Sequence, residues 1–128
     1  MIIDPYNARV RELFTDLRHA GTLPDAVTVT REDQGISIEL SAALLEGRID
    51  KLRYRMRGCP HSMAACEAIC RQFEGAAPAQ LFDFSAVELM QTLAVPAAKS
   101  GRILALEDTV RELETALRGP KSSAGQDE

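Results

Sequence analysis

No apolar run in the sequence approaches the ~18 residues of a membrane-crossing helix, which argues against a helical membrane protein. Basic charge is not in surplus either: Lys+Arg 15 against Asp+Glu 19 leaves a net charge of −4. That balance disfavours nucleic-acid binding through net charge, because neutralising phosphates requires a basic surface. Cysteine is scarce, and the count of 3 is odd. Met1-Ile2-Ile3-Asp4-Pro5 lacks a basic stretch leading into an apolar one, so the expectation is reduced thiols in a cytoplasmic protein. Gly-rich phosphate loops, a Gly-x-Ser-x-Gly elbow, paired carboxylates and Cys-x-x-Cys or His-x-x-x-His pairs are all missing, and with them the enzyme classes they mark. What is present is ordinary for one globular domain: 128 residues, 45% hydrophobic and 27% charged. A chain of that length can bury a core without disulfide staples.

Tyr6, Val10, Leu13, Phe14 and Leu17 form one stripe of an amphipathic helix, with Asp4 as cap, Pro5 at its first position and an end at His19-Ala20-Gly21. Three strand-like runs follow. Val27 and Val29 alternate with threonines. Ile36, Ile38 and Leu40 alternate with Ser37, Glu39 and Ser41. From Ile49 the alternation skips once, then Leu52, Tyr54 and Met56 alternate with Arg53, Arg55 and Arg57. Glu46-Gly47 reads as a hairpin turn, and an antiparallel meander is the economical arrangement. Gly58-Cys59-Pro60 then breaks the strand period. Residues 60–73 are helix-forming and end at Gly75; Pro78 lies in a loop, and Ser85 to Glu88 caps a short helix. Pro96 precedes a last helix carrying Ile103, Leu104, Leu106, Val110, Leu113 and Leu117. The expected fold is α+β, a small three-stranded antiparallel sheet with helices on one face, in a single domain over residues 1–118. Gly119-Pro120 is expected to end it, with 119–128 as a disordered tail.

Cys59 is the most informative residue. It sits between a strand and a helix, after a glycine and before a proline suited to the first helical turn. A thiol there faces the positive end of the helix dipole, which favours thiolate. The readings left open are a reactive thiol, with His61 as proton donor or second soft ligand, and a small hydrophobe in a tight turn. Cys66 and Cys70 share the azimuth of Cys59 but lie at least ~10 Å along the axis from it, too far for one site. They read as a core-facing stripe. His19 reads as a helix-end cap. Arg53, Arg55 and Arg57 make a basic strip that either docks an acidic partner or is simply solvated.

The ordered set of motifs resembles the U-type iron–sulfur cluster scaffold family (IscU, the NifU N-terminal domain, SufU). Arg18-His19-Ala20-Gly21-Thr22-Leu23 resembles the family's N-P-R-N-x-G region. Glu46-Gly47-Arg48-Ile49, through Arg53-Tyr54 to Arg57-Gly58-Cys59, is similar to its G-x-I-x-x-x-x-F-x-x-x-G-C stretch. Ser62-Met63-Ala64-Ala65 and Ile103-Leu104-Ala105 follow in the family's order. The resemblance implies a carrier rather than an enzyme, handling an iron–sulfur cluster with a cysteine desulfurase and assembly chaperones as partners, and a homodimer as one way to complete the ligands. In the family three cysteines and an aspartate converge. Cys59 matches the second cysteine. Glu32-Asp33-Gln34 stands where the first cysteine and the aspartate are expected, Ser100-Gly101 at the third, and Ala94 to Lys99 departs from the chaperone-recognition stretch. The remaining donors, Cys59, His61, Glu32 and Asp33, suit a single iron or zinc ion better than a sulfide cluster. Two functions are therefore expected: transient iron or sulfur binding through Cys59, or an interaction module that docks an assembly partner through Arg53, Arg55 and Arg57.

Overall fold

The computed structural model describes residues 6–126, with side chains described for 6–118. The expected cap at Asp4 and proline at Pro5 lie outside the described residues, as do the side chains of the expected tail; the backbone of the last helix runs on through Gly119 and Pro120 to Gln126, past the expected stop. The elements run α1 (Ala8–Phe14), β1 (Val27–Asp33), β2 (Ile36–Leu45), β3 (Arg48–Arg57), α2 (Pro60–Phe73), a 3-10 helix (Pro78–Asp83), α3 (Ala86–Leu93), a 3-10 turn (Ala97–Lys99) and α4 (Ser100–Gln126). The fold is α+β, as the patterning predicts. Pro78, expected in a loop, opens the first 3-10 helix instead.

The sheet is an antiparallel meander of order β1-β2-β3. Both of its turns have two residues with positive φ, Gln34 (54°) with Gly35 (79°) and Glu46 (55°) with Gly47 (80°), the geometry that matches strand twist in a two-residue hairpin. The skip in the β3 pattern is a bulge: Ala43 faces Lys51 but Leu44 faces Ile49. Asp50 is the extra residue, which lets Ile49 and Leu52 both point inward. Ile36, Ile38, Leu40, Ala42, Ile49, Leu52 and Tyr54 form the inner face, packed by α2 and α4. Of the apolar set expected in the last helix only Leu104 points outward, at 44% exposure.

The free edge of β3 is capped by other chain segments. Tyr54 N–H donates to His19 O (3.1 Å), Gly21 N–H to Tyr54 O (2.8 Å) and Ile49 N–H to Ala76 O (2.8 Å). Such pairing removes a template for aggregation. It also explains why α1 is shorter than its apolar stripe suggests. Asn7, not Asp4, caps it, accepting from Val10 N–H at 2.9 Å. The helix stops after Phe14, and residues 19–21 are drawn out to the sheet edge. Sheet pairing outweighs helical propensity here because a short helix is marginal on its own.

Candidate functional site at Cys59

Cys59 is the N-cap of α2, with Pro60 opening the helix. Its backbone N–H donates to Ser62 Oγ (3.0 Å), and Ser62 Oγ donates to Cys59 O (2.8 Å), leaving the Cys59 Sγ 3.6 Å from the same hydroxyl. This tight turn depends on Gly58. A Cβ there would lie 2.6 Å from Ser62 Oγ, 3.0 Å from Ile36 Cγ2 and 3.2 Å from Met56 Sδ. The Cys59 thiol is partly exposed, whereas Cys66 and Cys70 are buried in the core between α2 and the sheet, as their spacing predicts.

The three thiols differ in electrostatics accordingly. Burial pushes Cys66 and Cys70 well up, so both stay protonated and inert. Burial also pushes Cys59 up, but hydrogen bonds from the Ser62 side chain and backbone and from Arg102, with the charge of Lys99, outweigh it. The net shift is downward. Arg102 and Lys99 come from the start of α4 and the turn before it, elements the sequence reading did not connect to Cys59.

The remaining expected ligands do not assemble around it. Glu32 and Asp33 are the last residues of β1, not a loop, and successive strand residues point to opposite faces. Glu32 lies exposed on the outer face, in register with Ser37 and through it with Arg57, while Asp33 turns inward, 3.8 Å from Arg31. His61 is 1% exposed, its two ring nitrogens lack hydrogen-bond partners among the described residues, and its ring packs on Tyr6 at 4.6 Å between centroids. Burial and Lys99 hold it neutral. Among the described residues no three of His, Cys, Asp and Glu are grouped to hold a metal ion. At the third-cysteine position, Gly101 lies against Gln34: a Cβ on Gly101 would sit 2.7 Å from Gln34 Oε1. A cluster requires about four strong ligands, and this pole offers one thiol.

Two further expectations change. The strip of arginines is reduced to Arg55 and Arg57, both exposed and without an ion pair among the described residues. They border an open concavity of about 850 Å³ on the outer sheet face with Thr30, Glu32, Ser37 and Glu39. Arg53 instead pairs with Glu74 at 2.7 Å. His19 is no helix cap. It is buried between two carboxylates, Nδ1 to Glu67 Oε2 (2.6 Å) and Nε2 to Glu74 Oε1 (2.9 Å). Ionised carboxylates only accept, so each ring nitrogen is placed to donate to the carboxylate it meets. Glu67 also accepts from His19 N–H (3.0 Å), Tyr54 Oη (3.3 Å) and Arg71 Nε (2.9 Å). Burial raises the Glu67 carboxyl, but these partners hold it below its ordinary range.

Comparison with known proteins bears on the fold and the family. No curated protein matches the sequence. Three solved structures share the fold at TM-scores of 0.57–0.62 and low identity. A hypothetical protein is 18% identical (TM-score 0.62), covering 80% of this chain and 96% of its own. A nitrogen-fixing NifU-like protein, N-terminal part, from Brucella abortus is 16% identical (0.62), covering 84% and 93%. A putative iron–sulfur cluster assembly scaffold protein for the SUF system from Fervidobacterium islandicum is 14% identical (0.57), covering 88% and 86%. The family model for the NifU-like N-terminal domain matches residues 5–116, nearly the whole described chain, so this protein belongs to that family, the U-type scaffolds of iron–sulfur cluster assembly.

Proposed function

We propose that this chain serves iron–sulfur cluster assembly as a sulfur carrier, receiving sulfane sulfur on Cys59 and passing it on, rather than holding a finished cluster by itself. The observation that carries this reading is the contrast among its thiols: Cys59 alone is partly exposed, hydrogen-bonded and depressed toward thiolate. Thiolate is the nucleophilic form that attacks a persulfide. The donor would be a cysteine desulfurase persulfide. Its terminal sulfur bonds to Cys59 Sγ as its own S–S bond breaks, and the donor cysteine leaves as thiolate. Incubating the reduced protein with a desulfurase and cysteine under argon tests this. Mass analysis is expected to find one added sulfur on the wild type and none on Cys59→Ala; equal sulfur on both would refute it.

A second reading, an interaction module without sulfur chemistry, is favoured by Arg55 and Arg57, without an ion pair among the described residues, beside the outer-face concavity. Reversing both to Glu is expected to abolish desulfurase capture if that face docks the partner. Binding indifferent to the reversal removes this reading. Arg53 is left out of the test because it anchors Glu74.

A further inference from the structure

Four segments meet at the Cys59 pole: the β1–β2 turn, the end of β3, the first turn of α2 and the start of α4. Gln34 lies over Gly101, Gly35 lies beside Arg102 (3.9 Å from its Cβ position to the guanidinium), and the Cβ position of Gly58 touches Ile36. Where the family resemblance expects further thiols and an aspartate, this chain supplies Glu32, exposed on the outer sheet face, a neutral carboxamide at Gln34 and a glycine at Gly101. The charges that do reach Cys59 are positive, Arg102 and Lys99. Neither has a carboxylate partner among the described residues; the contact shown for Lys99 is its ammonium 5.8 Å above the Tyr6 ring. The backbone amides opening α2, a 14-residue helix, add positive field. Tyr6 in turn packs on His61, the buried imidazole whose two nitrogens have no partner among the described residues, and Lys99 acts on that ring as it acts on Cys59. An imidazole without partners among the described residues, acted on by Lys99, next in the same helix turn to a thiol acted on by Lys99 and Arg102, makes a place for a polar ligand, and the sign of the field selects an anion.

We propose that the Cys59 pole accepts sulfur from small oxyanionic sulfane donors of the thiosulfate class, with Arg102 and Lys99 holding the donor's oxyanion end. The proposal rests on the carrier reading and names a substrate class for the same thiol. In the reaction the Cys59 thiolate attacks the outer sulfur of thiosulfate. A new S–S bond forms on Cys59 Sγ, the donor S–S bond breaks, and its electron pair leaves on sulfite. One thiolate and one dianion go in, one persulfide anion and one sulfite dianion come out, and no oxidant, reductant or proton is required. The two cations act on charge that stays on the leaving group throughout, so they serve binding and departure alike.

The experiment uses the full chain, reduced and under argon, with sodium thiosulfate as donor. One sulfane sulfur on Cys59 and one equivalent of released sulfite are expected. Exchanging Lys99 and Arg102 together for Gln is expected to slow loading by about tenfold or more, the usual range for removing a steering field. Because such a loss could reflect a disturbed turn, the same two proteins are alkylated with iodoacetate and with iodoacetamide. The wild type is expected to favour the anionic reagent relative to a free thiol, and the double variant to lose that preference while still reacting with the neutral one. No charge preference in the wild type overturns the proposal, as does thiosulfate loading unaffected by the double exchange. If the desulfurase loads Cys59 but thiosulfate does not, the donor class falls and the carrier reading stands. If neither loads it, both fall.

Discussion

Replacing Glu67 by Ala tests the polar core that fixes α2 against β3. The carboxylate is 0% exposed and accepts from His19 N–H, His19 Nδ1, Tyr54 Oη and Arg71 Nε. Arg71 keeps a bond to Asp16 O (2.7 Å) and His19 keeps Glu74, so neither is fully stranded. The His19 amide, the Nδ1 proton and the tyrosine hydroxyl lose their acceptor inside the protein. Removing one member of a buried charged pair typically costs about 3–5 kcal/mol, a large part of the ~5–15 kcal/mol that holds a domain folded. With an unfolding entropy of about 2.1 cal/mol/K per residue, that loss lowers Tm by about 10–20 °C.

Urea unfolding followed by circular dichroism measures the free energy, and repeating it across pH separates charge from packing. The Glu67 carboxyl is depressed below 4.5 in the folded protein. Its stabilisation is therefore fully present above the unfolded value and is lost as pH falls through the folded one. The gap between wild type and Glu67→Ala should thus be widest near neutrality and shrink in acid. A gap that stays constant down to about pH 3 would mean the loss is a cavity effect and the network carries no net electrostatic stability. A loss under about 1 kcal/mol would refute the buried-pair argument outright.

Gly58→Ala pushes a methyl to 2.6 Å from Ser62 Oγ and 3.0 Å from Ile36 Cγ2. It is expected to cost about 1–3 kcal/mol in chemical denaturation, the usual penalty of overpacking, and a neutral result would show the turn to be soft. A chromogenic disulfide reagent should titrate one thiol in the native protein and all three only after unfolding, since Cys66 and Cys70 are buried; rapid reaction of more than one would contradict the core assignment.

The strands, the bulge and α2 were legible because each rests on a local rule. Alternation places Ile36, Ile38 and Leu40 inward, the single skip after Ile49 is the bulged Asp50, and Gly58 and Pro60 bracket a helix start. Residues 15–21 were not, because their path is set by the unpaired edge of β3 and by the Glu67 carboxylate, both distant in sequence. A trace of the second was nevertheless visible. Glu67 falls among Cys66, Ile69, Cys70 and Phe73 on the buried side of α2, where a carboxylate is tolerated only with cationic partners. Read that way, the helix demands a histidine or arginines from elsewhere, and His19 and Arg71 supply them.

The chemistry at Cys59 lies at the other end of legibility. Its thiol, its glycine and its proline are contiguous, so the nucleophile could be found by motif alone. The sign of the field around it could not, since Lys99 and Arg102 reach the thiol only after the β1–β2 turn docks on the start of α4. Nor could periodicity alone separate Glu32 from Asp33 as co-ligands until β1 was seen to run through both residues and throw them to opposite faces. Counting donors by sequence proximity suggested a metal site. Resolving which face each donor takes leaves a thiol acted on by Lys99 and Arg102, and under the proposed carrier role a field of that sign favours sulfur anions over iron.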